Sequence, residues 1–138
     1  MDAFEVIDIS GDVGIRAFGK DLKEVFIHAA LGMYTFITNI ESVETKNALD
    51  IHIEDDSRED LLVSWLNELI FHFDTYGFIG KDISITEFTE ENLTARLYGE
   101  EFDPERHERN LLIKAATYHQ LSIVQKKGAW KAEVIFDI

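Results

Sequence analysis

Apolar and polar positions alternate with a period of two towards both ends of this 138-residue chain, and with a period near 3.6 in two stretches between. Residues 4–9 and 13–18 are short apolar and β-branched runs around Ser10-Gly11-Asp12, which predicts two strands joined by a turn that holds Asp12. Asp21 followed by Glu24 is a capping-box-like start, and Leu22, Val25, Phe26, Ala29, Ala30, Met33 and Ile37 then share one helical face, so a helix is predicted over 21–38. Residues 48–54 alternate as a strand up to the acidic run Asp55-Asp56-Ser57. Ser57 caps a second helix with Glu59 and Asp60 in its first turn, where the helix dipole favours negative charge. That helix presents Leu61, Leu62, Trp65, Leu66, Leu69, Ile70 and Phe73 on one face and stops at Tyr76-Gly77. Beyond residue 80 the pattern predicts strands over 83–88, 93–99, 111–118, 121–126 and 130–137, with Gly128 in a turn.

Two long helices among short strands predict an α+β fold, with the helices packed on one face of a largely antiparallel sheet. The strand-helix-strand order over 13–54, with a weaker echo later, allows a duplicated strand-helix-strand-strand unit. One proline, no Pro/Ser-rich linker and no low-complexity tract predict a single domain over 1–138. Nothing at Met1-Asp2-Ala3-Phe4-Glu5 resembles a leader, and no uncharged run approaches the ~20 apolar residues of a membrane span, so a soluble cytoplasmic protein without membrane contact is expected.

Composition narrows the chemistry. The absence of cysteine excludes thiol nucleophiles, disulfides and thiolate-held zinc or iron–sulfur centres. Twenty-seven acidic against thirteen basic side chains give −14, which repels phosphate backbones, so no direct nucleic-acid contact is expected. Such acidity serves solubility, cations or a basic protein partner. His28, His52, His72, His107 and His119 lack the spacing of a local metal motif. No nucleophile elbow accompanies a Ser/His/Asp set, and Gly11-Asp12-Val13-Gly14 is too short for a phosphate loop, so no catalytic residue is assigned.

Three places remain. Gly99-Glu100-Glu101-Phe102-Asp103-Pro104-Glu105-Arg106-His107 reads as a capped corner or as partner surface, with Glu100 as the candidate contact. Lys114 stands among small and apolar residues, placed to neutralise acidic neighbours, to contact a phosphate or a partner carboxylate, or to reach solvent. In the closing Phe136-Asp137-Ile138 a carboxylate follows directly on a strand pattern that runs from Trp130, beside the terminal carboxylate. A second carboxylate nearby would need a proton or a cation between them.

Taken in order, Gly11-Asp12-Val13-Gly14-Ile15, the helical Leu61–Leu69 stretch, Gly99–His107, Ile113–His119 and Phe136-Asp137-Ile138 resemble the archease family from end to end. The resemblance implies a non-catalytic activator of an RtcB-type tRNA-splicing RNA ligase, which promotes guanylylation of the ligase and its multiple turnover. It also implies a divalent cation, usually calcium, held by Asp12, Asp137 and Ile138. Where the family has His-Thr-Ala-Asp-Ile-Gly, this chain has Ile9-Ser10-Gly11-Asp12-Val13-Gly14, so no imidazole stands at position 9. Oxygen-only donors suit calcium or magnesium rather than zinc, which agrees with that implication. A C-terminal extension is expected to weaken cation binding more than an N-terminal one. Two other readings remain: a metal-dependent hydrolase, which needs a general base and a pocket, and a small-ligand-binding α+β module, which needs a deep apolar cavity between helices and sheet.

Overall fold

The computed structural model describes residues 3–138. Strands β1 (Phe4–Ile9) and β2 (Asp12–Gly19) form a hairpin whose turn is Ser10-Gly11. Gly11 takes the positive φ, 83°, that the second turn position requires, and Asp12 becomes the first residue of β2 rather than a turn residue. Helix α1 (Leu22–Ile37) starts where the Asp21 side chain accepts from the Glu24 N–H at 2.9 Å. Strand β3 (Asn47–Glu54) leads into α2 (Arg58–Tyr76), capped by Ser57 accepting from the Asp60 N–H at 3.1 Å. Then follow β4 (Phe78–Phe88), β5 (Asn92–Glu101), the short β6 (Ala115–Ala116), β7 (Ser122–Lys126) and β8 (Ala129–Asp137).

All strand pairs are antiparallel and the class is α+β, as the pattern predicted. The strands divide into two sheets, one running β1-β2-β8-β6 with β7 also on β8, the other β3-β5-β4. Among the described residues the strand-helix-strand-strand order occurs in full once, as β3-α2-β4-β5, because the capped start of α2 follows β3 where a second copy would need a strand. Helix α1 packs on β1, β2 and β8 of the first sheet and on β4 of the second, and α2 also touches both sheets.

The predicted strand over 111–118 shrinks to two residues for a hydrogen-bonding reason. The Asn110 and Leu111 N–H groups donate to the Ile37 and Phe36 carbonyls, at 3.0 and 2.9 Å. Those carbonyls lie at the α1 C-terminus, where the helix cannot satisfy its own acceptors, so the segment caps a helix instead of extending a sheet. Strand β4, by contrast, begins five residues earlier than predicted, directly after the helix-ending Gly77.

Trp65, Tyr34, Phe26 and Phe136 fill the space between helices and sheets and are fully buried, each contributing on the order of 2 kcal/mol from apolar area removed from water. The Trp65 indole N–H donates to the Phe26 carbonyl at 2.9 Å, joining α2 to α1 without leaving a buried donor unsatisfied. On the outer face of the first sheet, Arg16 bonds Glu133 at 2.7 Å and Glu5 at 2.9 Å along a single rung, an exposed ladder that favours this register more than it adds stability.

The second sheet depends on the pairing of Gly80 with Gly99. A Cβ on Gly99 would collide with the main-chain carbonyl of Ile79, which cannot swing away as a side chain could. Gly99→Ala should therefore lower stability by about 3 kcal/mol, read as a lower denaturant midpoint at unchanged slope.

Candidate metal centre

The register of β2 on β8 places the two candidate aspartates. The last paired rung is Val13 with Phe136, so one step further along the same antiparallel register sets Asp12 opposite Asp137. Successive side chains alternate between faces, and Phe136 is fully buried on the inner one, so both aspartates lie on the outer face. Opposed residues of an antiparallel pair have Cβ atoms roughly 4.5–5.5 Å apart. On the other edge of β8, Ala115 pairs with Asp137, and the Lys114 N–H donates to the Asp137 carbonyl at 2.8 Å. Asp137 thus sits between two neighbouring strands while its side chain stays exposed, and Ile138 follows beside Lys114.

Neither Asp12 nor Asp137 has a cationic partner within 4.0 Å among the described residues. Two like charges held opposite each other destabilise a strand pair unless something neutralises them. The donors on offer are two carboxylates and the main-chain oxygen of Ile138, all hard oxygens, with Lys114 exposed at the margin. That set fits calcium or magnesium, with water completing the shell, and provides no soft ligand. Ile9, across the turn from Asp12, adds no donor.

Glu100 has a different role from the partner contact expected of it. It is only 3 % exposed, and its carboxylate is engaged inside the protein. It accepts from both terminal nitrogens of Arg106, from the Glu44 N–H at 2.6 Å and from His107 Nε2 at 3.1 Å. The Asp103 N–H donates to His107 Nδ1 at 2.8 Å, which places the ring proton on Nε2, facing Glu100. Arg106 and, less strongly, the Glu44 N–H and His107 hold the Glu100 pKa down to about 2 against the opposing effect of burial. Within the 99–107 segment, Glu100 is the internal anchor of a capped corner.

A second carboxylate group went unread in the sequence, where its members pass as a strand end and a helix cap. Asp55, Asp56 and Asp60 each bring an oxygen to within 4.8 Å of the others. Here donors are already in place. Asp55 accepts from the Ser64 hydroxyl and the Asp56 N–H, which lower its pKa, and Asp60 accepts from the Tyr118 hydroxyl at 2.7 Å, pushing that phenol up to about 12. Tyr118 on the far side of the chain was the missing clue. Two of the histidines are engaged elsewhere, His28 Nδ1 at 2.6 Å from the Phe18 carbonyl and His72 at 3.2 Å from Glu68.

The profile of the Archease protein family (MTH1598/TM1083) matches residues 4–138. The chain belongs to the archease family. The protein archease of Pyrococcus furiosus is 35% identical to it over 142 aligned residues, and that of Methanothermobacter thermautotrophicus is 36% identical over 141, each alignment covering 100% of both chains. Among solved archease-fold structures, the solution structure of protein 1598 of Methanobacterium thermoautotrophicum superposes with a TM-score of 0.80 at 39% identity over 100% of both chains. A crystal structure from Thermotoga maritima, described as an archease and possible chaperone, shares the fold with a TM-score of 0.69 at 19% identity, covering 96% of this chain and 94% of that one. No helix among the described residues of this archease is long and apolar enough to cross a membrane.

The buried corner generates a pH-dependence. Glu100 has a folded-state pKa below the 4.5 of an ordinary glutamate, so its stabilising contribution is present above pH 4.5 and is lost as pH falls towards about 2. Glu100→Gln should therefore be less stable than the parent protein at pH 6, and the difference in thermal midpoint should shrink steadily between pH 4.5 and pH 2.

Proposed function

We propose that this archease-family protein is a cytoplasmic, non-catalytic activator of an RtcB-type tRNA-splicing ligase, promoting guanylylation of the ligase so that it turns over repeatedly. A divalent cation, calcium or magnesium, held by Asp12, Asp137 and Ile138 belongs to this reading. The observation that carries it is the β2–β8 register, which brings together the two aspartates on which the family resemblance places the ion.

When bound, the cation supplies concentrated positive charge at the end of an otherwise acidic sheet. The protein's own residues do the rest. Asp12 enters the site on the stiff hairpin closed by Ser10-Gly11, and Asp137 enters on a strand paired along both edges, so the two carboxylates arrive preorganised. Lys114, exposed beside Ile138, is placed to meet a partner carboxylate or phosphate. The surrounding acidity, −14 over the chain, steers the protein towards a basic surface of the ligase, and a contact that binds the guanylylation-competent conformation more tightly shifts the ligase towards it.

In a guanylylation assay with the cognate ligase, Asp12→Ala and Asp137→Ala should each reduce stimulation at least tenfold, as should chelator with the unaltered protein. Undiminished stimulation by both variants would remove the metal face from the account. Calcium at a hundredfold excess over its Kd should stabilise the unaltered protein by about 2.7 kcal/mol through preferential binding to the folded state. Asp137→Asn should abolish that gain, whereas Asp55→Asn should retain it, in thermal melts with and without calcium.

A further inference from the structure

The carboxyl end of α2 carries an apolar surface that neither the fold nor the oxygen site uses. Phe71 and Tyr76 are 52 and 62 % exposed, and their rings meet edge to face with centroids 6.5 Å apart. His72 bridges them, 5.5 Å from Phe71 and 5.8 Å from Tyr76. Tyr76 is also one wall of an open groove of about 750 Å³ that reaches Phe102, Pro104 and Leu112, the last 59 % exposed. Large aromatic side chains left in water at adjoining positions mark an interaction surface more strongly than scattered apolar residues do.

Charge at the groove restricts what can occupy it. Asp74 and Glu101 line it, and neither has a cationic partner within 4.0 Å among the described residues. Arg109, the one cation lining it among the described residues, lies with its guanidinium 4.9 Å above the Phe102 ring and so covers an aromatic face of the wall. A second copy of this chain is a poorer occupant, since each copy carries a net charge of −14 and the contact would bring two acidic surfaces together.

We propose that the groove lined by Tyr76, Phe102 and Leu112, together with Phe71 adjoining it through Tyr76, docks a basic amphipathic segment of a partner protein, with Asp74 and Glu101 pairing its lysine or arginine side chains. Aliphatic residues of the segment lie against Phe71, Tyr76 and Leu112, and its cations meet the carboxylates and the exposed tyrosine face. This goes beyond ligase activation, because it assigns a protein-binding surface built from residues other than the oxygen donors. It holds whether or not the ligase is the partner.

The test uses the full chain and two fluorescent helical peptides with identical leucine positions, one carrying lysine and the other glutamate on the polar face. Fluorescence anisotropy should show the lysine peptide binding at least tenfold more tightly. The double substitution Phe71→Ser with Tyr76→Ser should weaken that binding at least tenfold, and Asp74→Asn with Glu101→Gln at least fivefold. Val124→Ser, at a 44 % exposed apolar position elsewhere on the surface, should leave it within twofold and so report the effect of removing any exposed apolar side chain. All substituted positions are exposed, and unchanged circular dichroism would show that the variants fold. Equal affinity of the unaltered protein and the aromatic variant for the lysine peptide would overturn the proposal. So would a dimer in sedimentation equilibrium that the aromatic substitutions dissociate.

Discussion

The structure hinges on the pairing of β2 with β8. Strand β8 is the hub of its sheet, bonded to β2 along one edge and to β6 and β7 along the other, and its inner face supplies Ala132, Val134 and Phe136 to the core. A slip of one residue would turn those side chains outward and bury Glu133 and Asp137, so the hydrophobic core selects the register. The same register carries Asp12 to Asp137. The force that builds the core therefore also builds a site of like charges at its edge, and the repulsion there is held in place by burial elsewhere.

The second sheet is anchored by a polar device. Glu100, Arg106 and His107 close the corner through which the chain leaves β5, and the Glu44 N–H joins the same carboxylate from the segment before β3. A buried carboxylate costs a great deal unless it is paired and fully hydrogen-bonded, and here the pairing is local enough to form with the corner itself. The segment that follows caps α1 through Asn110 and Leu111 before reaching β6, so the corner sets the position of Lys114 beside Ile138. The corner thus acts on the candidate site at a distance, by placing a strand rather than by touching a ligand.

Local features were legible in the sequence and non-local ones were not. Asp21 and Ser57 cap the helices as the residue types predict, because a cap is completed within three residues. The alternation ending at Phe136-Asp137 identified an ordered strand, but nothing in the strand itself names its neighbour, and the Asp12–Asp137 apposition joins residues at opposite ends of the chain. Resemblance to a family supplied that link before the fold did. Glu100 misled because its partners lie six and seven residues later in a stretch that reads as exposed. The 111–118 segment misled because its alternation is real while its first donors go to the α1 carbonyls. The Asp55, Asp56 and Asp60 group was invisible because those residues have good local reasons to be acidic, and only Tyr118, brought over by β6, shows how the fold uses them.

For the cation proposed above, two carboxylate groups compete as its home, and they differ in a way that can be measured. The Asp55 group already receives the Ser64, Asp56 and Tyr118 donors, whereas no hydrogen bond to the Asp12 or Asp137 side chain occurs among the described residues. Manganese(II) is a hard, oxygen-seeking ion that broadens the NMR signals of nearby amides, so titrating trace amounts into the isotopically labelled protein locates the preferred site directly. The β2–β8 account predicts that the amides of Asp12, Val13, Lys114, Asp137 and Ile138 broaden first and recover on addition of excess calcium. Broadening that begins at Asp55, Asp56 and Asp60 and leaves Asp137 sharp would contradict it.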